Sequence, residues 1–262
     1  MPTANLNGFS MNYLEQGQGR SIVLLHGFPL DAGVFDDQVQ ALSDRFRVIA
    51  PDLRGFGGST SDAPFTIESL ADDLHQLLSR IGALPCVLGG LSMGGYVALA
   101  FAEKYPRDVA GLVLIDTRSE ADSSEGKQKR NAMVELVRER GARAIADQML
   151  PNLLAAPVAP DRLLRMMSAV PAATIQNALR AMRDRKDYTS LLSSLKLPTL
   201  IVVGEKDAIT PPALARAMHQ AIAGSRLLII QGAGHLTPME SPEDLSNAIR
   251  EFVSGIPTRS AL

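Results

Sequence analysis

Short apolar runs alternate along the chain with stretches in which apolar residues recur every three or four positions. Six runs are typical of buried strands: Ile22–Leu25, Arg47–Ala50, Cys86–Leu88, Gly111–Ile115, Leu200–Val203 and Leu227–Ile230. The spacing from Ile67 to Ile81 predicts an amphipathic helix with Thr66 as its N-cap. Thr210-Pro211 and Ser241-Pro242 predict two later helix starts, each with a hydroxyl N-cap followed by a proline at the first helical position. The alternation predicts an α/β fold with a mostly parallel sheet flanked by helices.

Residues 118–190 interrupt this alternation. They contain no convincing strand, and prolines at positions 151, 160 and 171 separate several helical segments. We therefore predict a helical cap over 118–190, inserted into a core formed by 1–117 and 191–262. The cap has 13 basic and 9 acidic residues, a net charge of +4, against −6 for the remainder. Interspersed charges are typical of a solvated surface, and attraction of anionic substrates is the alternative.

The length and composition exclude several classes of protein. A chain of 262 residues with a net charge of −2 and no basic tract is not expected to bind nucleic acid. The N-terminus lacks a secretion signal, and no apolar run approaches the ~20 residues that span a bilayer. These features predict a cytoplasmic protein with no membrane partner. The single cysteine, Cys86, is predicted to be a core residue; the sequence does not indicate an oligomeric state.

A G-x-S-x-G pentapeptide, Gly90-Leu91-Ser92-Met93-Gly94, lies between a predicted strand and the helical stretch Tyr96–Ala102. A serine at the tip of a tight strand-to-helix turn requires neighbours that lack Cβ atoms. This context predicts Ser92 as a nucleophile, with the backbone N–H of Met93 directed at an anion that forms during acyl transfer. Taken alone, the pentapeptide also fits an ordinary glycine-rich turn.

A serine nucleophile needs a base and a third group that orients the base. His235 follows the last predicted strand through a glycine-rich loop, which places it at the carboxyl edge of the sheet. Asp207 follows the fifth predicted strand, and the order Ser92, Asp207, His235 is typical of triads on this type of sheet. Asp116, after the fourth strand, is the alternative acid or a turn residue. The remaining histidines are interpreted as structural: His26, His75 and His219.

The first predicted buried strand leads into His26-Gly27-Phe28-Pro29. This loop matches in shape the one that supplies a second oxyanion donor, for which the N–H of Phe28 is the candidate. The segment 51–59 lacks the spacing and the Gly-Lys-Ser/Thr ending of a phosphate loop, so we interpret it as a tight turn.

Together these motifs resemble the α/β-hydrolase superfamily, in the small cap-bearing group that contains bacterial carboxylesterases, enol-lactonases such as 3-oxoadipate enol-lactonase, and cofactor-free perhydrolases. The resemblance implies a triad of Ser92, Asp207 and His235 and an oxyanion hole formed by the N–H groups of Phe28 and Met93. Relatives that dehalogenate or open epoxides have an aspartate in place of Ser92, so those reactions are disfavoured.

The leading hypothesis is a serine hydrolase that cleaves a small carboxylic ester or lactone through an acyl-Ser92 intermediate. No cofactor or metal is expected, because the chain has no H-E-x-x-H motif and no cysteine cluster. Two alternatives stay open: carbon–carbon bond cleavage or peracid formation by the same triad, and a small-ligand receptor with an intact triad and little turnover. Five cap methionines are predicted to pack the core or, with Phe28, to line an acyl pocket: Met133, Met149, Met166, Met167 and Met182.

Overall fold

A single sheet of eight strands organises the chain. The computed structural model describes residues 1–6, 8–156 and 158–257. The strands are β1 (Thr3–Leu6), β2 (Phe9–Gln16), β3 (Ser21–Leu25), β4 (Arg47–Pro51), β5 (Cys86–Leu91), β6 (Val109–Ile115), β7 (Thr199–Gly204) and β8 (Arg226–Ile230). Their order in the sheet is β1-β2-β4-β3-β5-β6-β7-β8, and every neighbouring pair from β4 to β8 is parallel. The predicted fold class is confirmed.

Strands β1 and β2, which were not predicted from the sequence, form an antiparallel extension at one edge of the sheet. Only one face of β1 is buried, and polar side chains such as Asn12 and Glu15 interrupt β2. Their apolar residues therefore never form the continuous run that marks a strand buried on both faces.

The central strands bury both faces of the sheet. In β3, Val23 and Leu25 point into one apolar core, whereas Ile22 and Leu24 point into the other. This alternation follows from the two-residue period of a strand. Helices α2 (Ile67–Arg80), α3 (Met93–Lys104) and α9 (Pro212–Ala221) cover the first face. The second face is covered by α1 (Asp36–Leu42) and α11 (Pro242–Ser254).

The helix ends follow from local hydrogen bonding. Thr66 caps α2 as predicted: its hydroxyl accepts from the N–H of Ser69, and the Ser69 hydroxyl accepts from the N–H of Thr66. Helix α11 begins with a proline directly after Ser241, as predicted, but the Ser241 hydroxyl makes no capping hydrogen bond. The prediction that Thr210 caps α9 is wrong. Pro211 occupies the N-cap because the Thr210 hydroxyl donates to Asp207 instead.

Between β6 and β7 the described residues form five helices, here called the helical insertion: α4 (Ser124–Arg140), α5 (Ala142–Leu153), α6 (Pro160–Ala169), α7 (Ala172–Asp184) and α8 (Thr189–Leu192). Pro151 does not separate helices as the sequence suggested. It lies in the last turn of α5, where only a short stretch of helix follows the lost hydrogen bond. No helix in the described parts of the chain combines the length and apolar character needed to cross a bilayer.

Candidate active site

Ser92 occupies a sharp turn between β5 and α3. Its backbone has φ +52° and ψ −111°, a strained conformation for a residue with a side chain. A Cβ atom on Gly90 would collide with the backbone of Gly94, and one on Gly94 would collide with the carbonyl of Leu25. Glycine is therefore required at both positions, and the turn presents a partly exposed Ser92 side chain at the carboxyl edge of the sheet.

His235 lies between Ser92 and Asp207. Its Nε2 is 3.0 Å from Ser92 Oγ, and its Nδ1 is 2.8 Å from Asp207 Oδ2. The histidine is only 3% exposed. Because a carboxylate can only accept, Nδ1 carries the proton when the imidazole is neutral, and Nε2 is left to accept a proton from Ser92.

The loop that carries His235 is fixed on both sides of the histidine. Its own N–H donates to the carbonyl of Leu153 in the helical insertion, at 3.0 Å. The N–H groups of Gly234 and Leu236 donate to Glu240 Oε1, while Glu240 Oε2 accepts from the N–H of Ala155. Glu240 ends the short helix α10 (Thr237–Glu240). The position of the histidine thus depends on main-chain contacts with the insertion.

Asp207 is buried and hydrogen-bonded through both carboxylate oxygens. Oδ1 accepts from the N–H groups of Ile209 and Thr210, at 2.8 Å each, and Oδ2 accepts from the Thr210 hydroxyl at 2.6 Å. Burial opposes ionisation, but the hydrogen bonds from His235 and Thr210 outweigh it and hold the pKa of Asp207 below its ordinary value. Asp207 is therefore a carboxylate at neutral pH.

Asp116, the alternative acid, makes no hydrogen bond to His235 among the described residues. Its Oδ1 accepts from the N–H of Gly204 at 2.9 Å, and its Oδ2 accepts from the N–H and hydroxyl of Thr237 at 3.1 and 2.6 Å. Complete burial, opposed by the charge of His235, raises the pKa of Asp116 to about 7. Asp116 ties the end of β7 to the residues that follow the histidine, and its φ of +43° marks a tight turn.

The loop of Gly27 and Phe28 lies against the Ser92 turn. A Cβ on Gly27 would come within 3.3 Å of both Ser92 Cβ and the carbonyl of Leu91. In the described part of the chain, neither the N–H of Phe28 nor the N–H of Met93 donates to another group. These two main-chain donors belong to the two segments that meet at the Ser92 turn, and they have no partner among the described residues.

His26 holds this loop through hydrogen bonds that involve both of its ring nitrogens. Its Nε2 accepts from the N–H of Leu53 at 3.0 Å, and its Nδ1 is 2.9 Å from the carbonyl of Gly27. A carbonyl can only accept and an N–H can only donate, so Nδ1 carries the proton and Nε2 is bare. Complete burial lowers the pKa of His26, which keeps the ring neutral. The prediction of a structural histidine agrees with these contacts.

Three polar side chains around the site were not predicted from the sequence. The Thr210 hydroxyl contacts Asp207, the Thr117 hydroxyl donates to the carbonyl of Ser92 at 2.8 Å, and Glu240 holds the histidine loop. Of the three, only Thr210 could have been suspected from the sequence, because it lies three residues after the candidate carboxylate Asp207. The proline that follows Thr210 also fits a helix N-cap at this position. The described residues contain no cluster of three or more His, Cys, Asp or Glu side chains that is placed to hold a metal ion.

Residues 20–242 match the family model described as the alpha/beta hydrolase fold. The chain belongs to this family. The match covers both the Ser92 turn and the His235 loop, so the α/β-hydrolase fold accounts for the arrangement that carries the site.

Several members of the α/β-hydrolase family are similar over almost the whole chain. A thermophilic esterase from Thermogutta terrifontis, solved with malate bound, is 42% identical, with a TM-score of 0.92 and coverage of 98% of this chain and 97% of that one. The enol-lactonase from Burkholderia xenovorans LB400 is 28% identical, with a TM-score of 0.89 and coverage of 97% and 100%. A pimeloyl-[acyl-carrier protein] methyl ester esterase from Neisseria meningitidis serogroup C is 30% identical, over 90% of this chain and 94% of the relative.

Proposed function

We propose that this α/β-hydrolase is a serine esterase that cleaves small carboxylic esters or lactones through an acyl intermediate on Ser92. One observation carries the proposal: His235 lies within hydrogen-bond reach of Ser92 Oγ on one side, at 3.0 Å, and of Asp207 on the other, at 2.8 Å. A serine hydroxyl is a weak nucleophile at neutral pH and reacts only when an adjacent base takes its proton.

In this mechanism Ser92 Oγ attacks the carbonyl carbon of the ester while its proton passes to Nε2 of His235. Asp207 accepts the Nδ1–H bond and stabilises the imidazolium that forms. The N–H groups of Phe28 and Met93 bind the oxyanion, and the dipole of α3 favours the same negative charge. Collapse of the tetrahedral intermediate breaks the bond between the acyl carbon and the leaving oxygen. Nε2 of His235 returns its proton to that alkoxide. Water then repeats the attack and releases the acid, which restores Ser92.

The relatives support this class of reaction. A methyl ester esterase and an enol-lactonase both cleave the bond between an acyl carbon and an oxygen, in an open chain or in a ring. An ester or a lactone therefore fits the site without any change in the roles of its groups.

Turnover should depend on pH. We expect steady release of p-nitrophenol from p-nitrophenyl butyrate, with kcat/KM rising as the pH increases through a single ionisation at about 6–7. Free imidazole has a pKa of about 6.5, and it acts as a base only after it loses its proton. Initial rates from about pH 5 to 9 test this expectation.

Asp116→Asn is the control for this profile, because burial raises the pKa of the Asp116 carboxyl, which also lies near the site, to about 7. The rise should persist in this variant. A flat profile, or a rise that disappears with Asp116, would argue against a histidine base. A single burst without steady release would instead favour a ligand receptor.

His26→Phe should lower kcat about tenfold with little change in KM. Phenylalanine keeps a ring in the buried site, but it leaves the N–H of Leu53 without an acceptor and releases the loop that positions Phe28. Leaving the buried N–H of Leu53 without an acceptor costs about 1–3 kcal/mol of stability. Complete loss of an oxyanion donor would lower kcat by more than tenfold, so the expected tenfold loss corresponds to a displaced donor. The matched control is His219→Phe, which loses a hydrogen bond to Ser225. A lower melting temperature with unchanged kcat would limit His26 to a structural role.

A further inference from the structure

A cleft of about 540 Å³ lies between α4, α5 and the loop that follows Asp207. Its walls combine apolar side chains with charged ones and include Arg118, Lys129, Arg130, Met133, Met149 and Ile209. Ser92, Asp207 and His235 do not line it. The cleft is therefore separate from the groups to which the mechanism assigns a role.

Two of its lining residues connect the cleft to the reacting groups. Arg118 directly follows Thr117, whose hydroxyl contacts the carbonyl of Ser92. The N–H of Ile209 donates to Asp207, and the Arg118 guanidinium donates to the carbonyl of Ile209. The lining of the cleft therefore includes one residue that bonds directly to Asp207 and another that is the chain neighbour of a residue bonded to Ser92.

The acidic side chains of the cleft are already paired. Asp122 accepts from Arg130 at 3.1 Å and from the buried Arg185 at 2.7 Å, and Glu125 pairs with Lys129 at 2.8 Å. Burial opposes ionisation of Asp122, but the two arginines outweigh it and hold the pKa of this carboxyl below its ordinary value. The lining of the cleft thus holds three cations, Arg118, Lys129 and Arg130, against the two acids Asp122 and Glu125, which leaves one positive charge in excess.

Arg118 is the source of this excess. It is half-buried, and no carboxylate among the described residues lies within ion-pair distance of its guanidinium. Its one hydrogen-bond partner among them is the carbonyl of Ile209. A guanidinium has five N–H donors in a planar fork that matches a carboxylate, so most of its hydrogen-bonding capacity is left for a ligand.

We propose that this cleft binds the free carboxylate of a substrate whose other acyl group is the ester or lactone carbonyl attacked by Ser92. Arg118 pairs with the carboxylate, and Met133 and Met149 contact the methylene groups between the two ends. The preferred substrates are therefore half-esters or lactones derived from dicarboxylic acids. This inference rests on the proposed function and specifies its substrate class.

The test compares p-nitrophenyl half-esters of dicarboxylic acids, from succinate to suberate, with p-nitrophenyl esters of unbranched monocarboxylic acids of equal length. We expect the wild-type protein to prefer at least one half-ester. Arg118→Met should lower the ratio of kcat/KM for that half-ester to kcat/KM for its neutral counterpart by about tenfold to a hundredfold, mainly through KM, as expected for a lost charge-assisted pair. The ratio cancels any general loss from the contact between Arg118 and Ile209.

Two further variants separate a local contact from a general effect of charge. Arg138→Met removes the same charge from an exposed position on α4, where Arg138 pairs with Glu135 at 2.7 Å; its ratio should stay within about twofold, because exposed charges are screened. Arg118→Lys keeps the charge but lacks the planar fork, so its ratio should be intermediate. Equal ratios in the wild-type, Arg118→Met and Arg118→Lys proteins would overturn the inference and leave the esterase proposal intact.

A binding measurement removes the dependence on turnover. Titration of glutarate or adipate into the Ser92→Ala protein should give saturable binding that weakens at least tenfold when Arg118→Met is added. Absence of such weakening would overturn the cleft assignment. If the wild-type protein hydrolysed neither class of ester but bound the dicarboxylates through Arg118, the esterase proposal would fail and the anion site would stand.

Discussion

Ser92→Ala should abolish ester turnover and all labelling by a fluorophosphonate. The probe reacts with activated serines, and the Ser92 hydroxyl lies 3.0 Å from Nε2 of His235. Loss of a triad serine in a well-studied protease lowers kcat by about 10⁶-fold, so we expect the variant to be indistinguishable from background. Rates with p-nitrophenyl butyrate and intact-protein mass after labelling measure the two effects.

The matched control is Ser79→Ala, which removes an exposed serine hydroxyl at the end of α2. It should keep full labelling and full activity. Labelling that persists in a folded Ser92→Ala protein would mean that another residue is the nucleophile.

The second large effect should distinguish the two buried aspartates. Asp207→Asn should lower kcat by at least about 10²-fold and up to about 10⁴-fold, because an amide permits the wrong imidazole tautomer. Asp116→Asn should stay within about tenfold, since Asp116 bonds to Gly204 and Thr237 rather than to His235. The opposite ranking would assign the acid to Asp116. Unchanged activity in both variants would favour a Ser–His dyad.

Asp116→Asn should also be less stable than the wild-type protein. Asp116 accepts three hydrogen bonds, and the NH₂ group of an asparagine would face an N–H donor, so Asp116→Asn should lower the melting temperature by several degrees. Burial raises the pKa of Asp116 to about 7, so ionisation of this group opposes folding increasingly as the pH rises from about 4 to 7. The difference in melting temperature between the wild-type and Asp116→Asn proteins should therefore be smaller at about pH 8 than at about pH 5.

Most of the parallel part of the fold was predictable because its inner strands are buried on both faces. Each of these strands, such as β3 and β7, appears in the sequence as an unbroken apolar run. The antiparallel strands β1 and β2 were not predictable in this way, because polar side chains interrupt their apolar residues.

The residues of the candidate site likewise differ in whether the sequence predicts them. Ser92, Asp207 and His235 lie at strand ends, so the sheet topology alone brings them to one edge. The contacts of Glu240 and Thr117 come from segments distant in sequence and have no local signature. From the sequence, the hydroxyl of Thr210 could cap α9 or bond to Asp207, and only the folded loop shows that it bonds to Asp207.

The main-chain bond between His235 and Leu153 limits how independently the helical insertion can evolve. A chimaera that exchanged the insertion for that of a relative would replace one wall of the cleft and one support of the histidine in a single step. Residues 153–155 and Glu240 form a joint that such a graft must reproduce, whereas the outward faces of α4 and α7 are free to diverge. Changes of specificity are therefore expected to accumulate on the insertion by point substitution rather than by wholesale replacement.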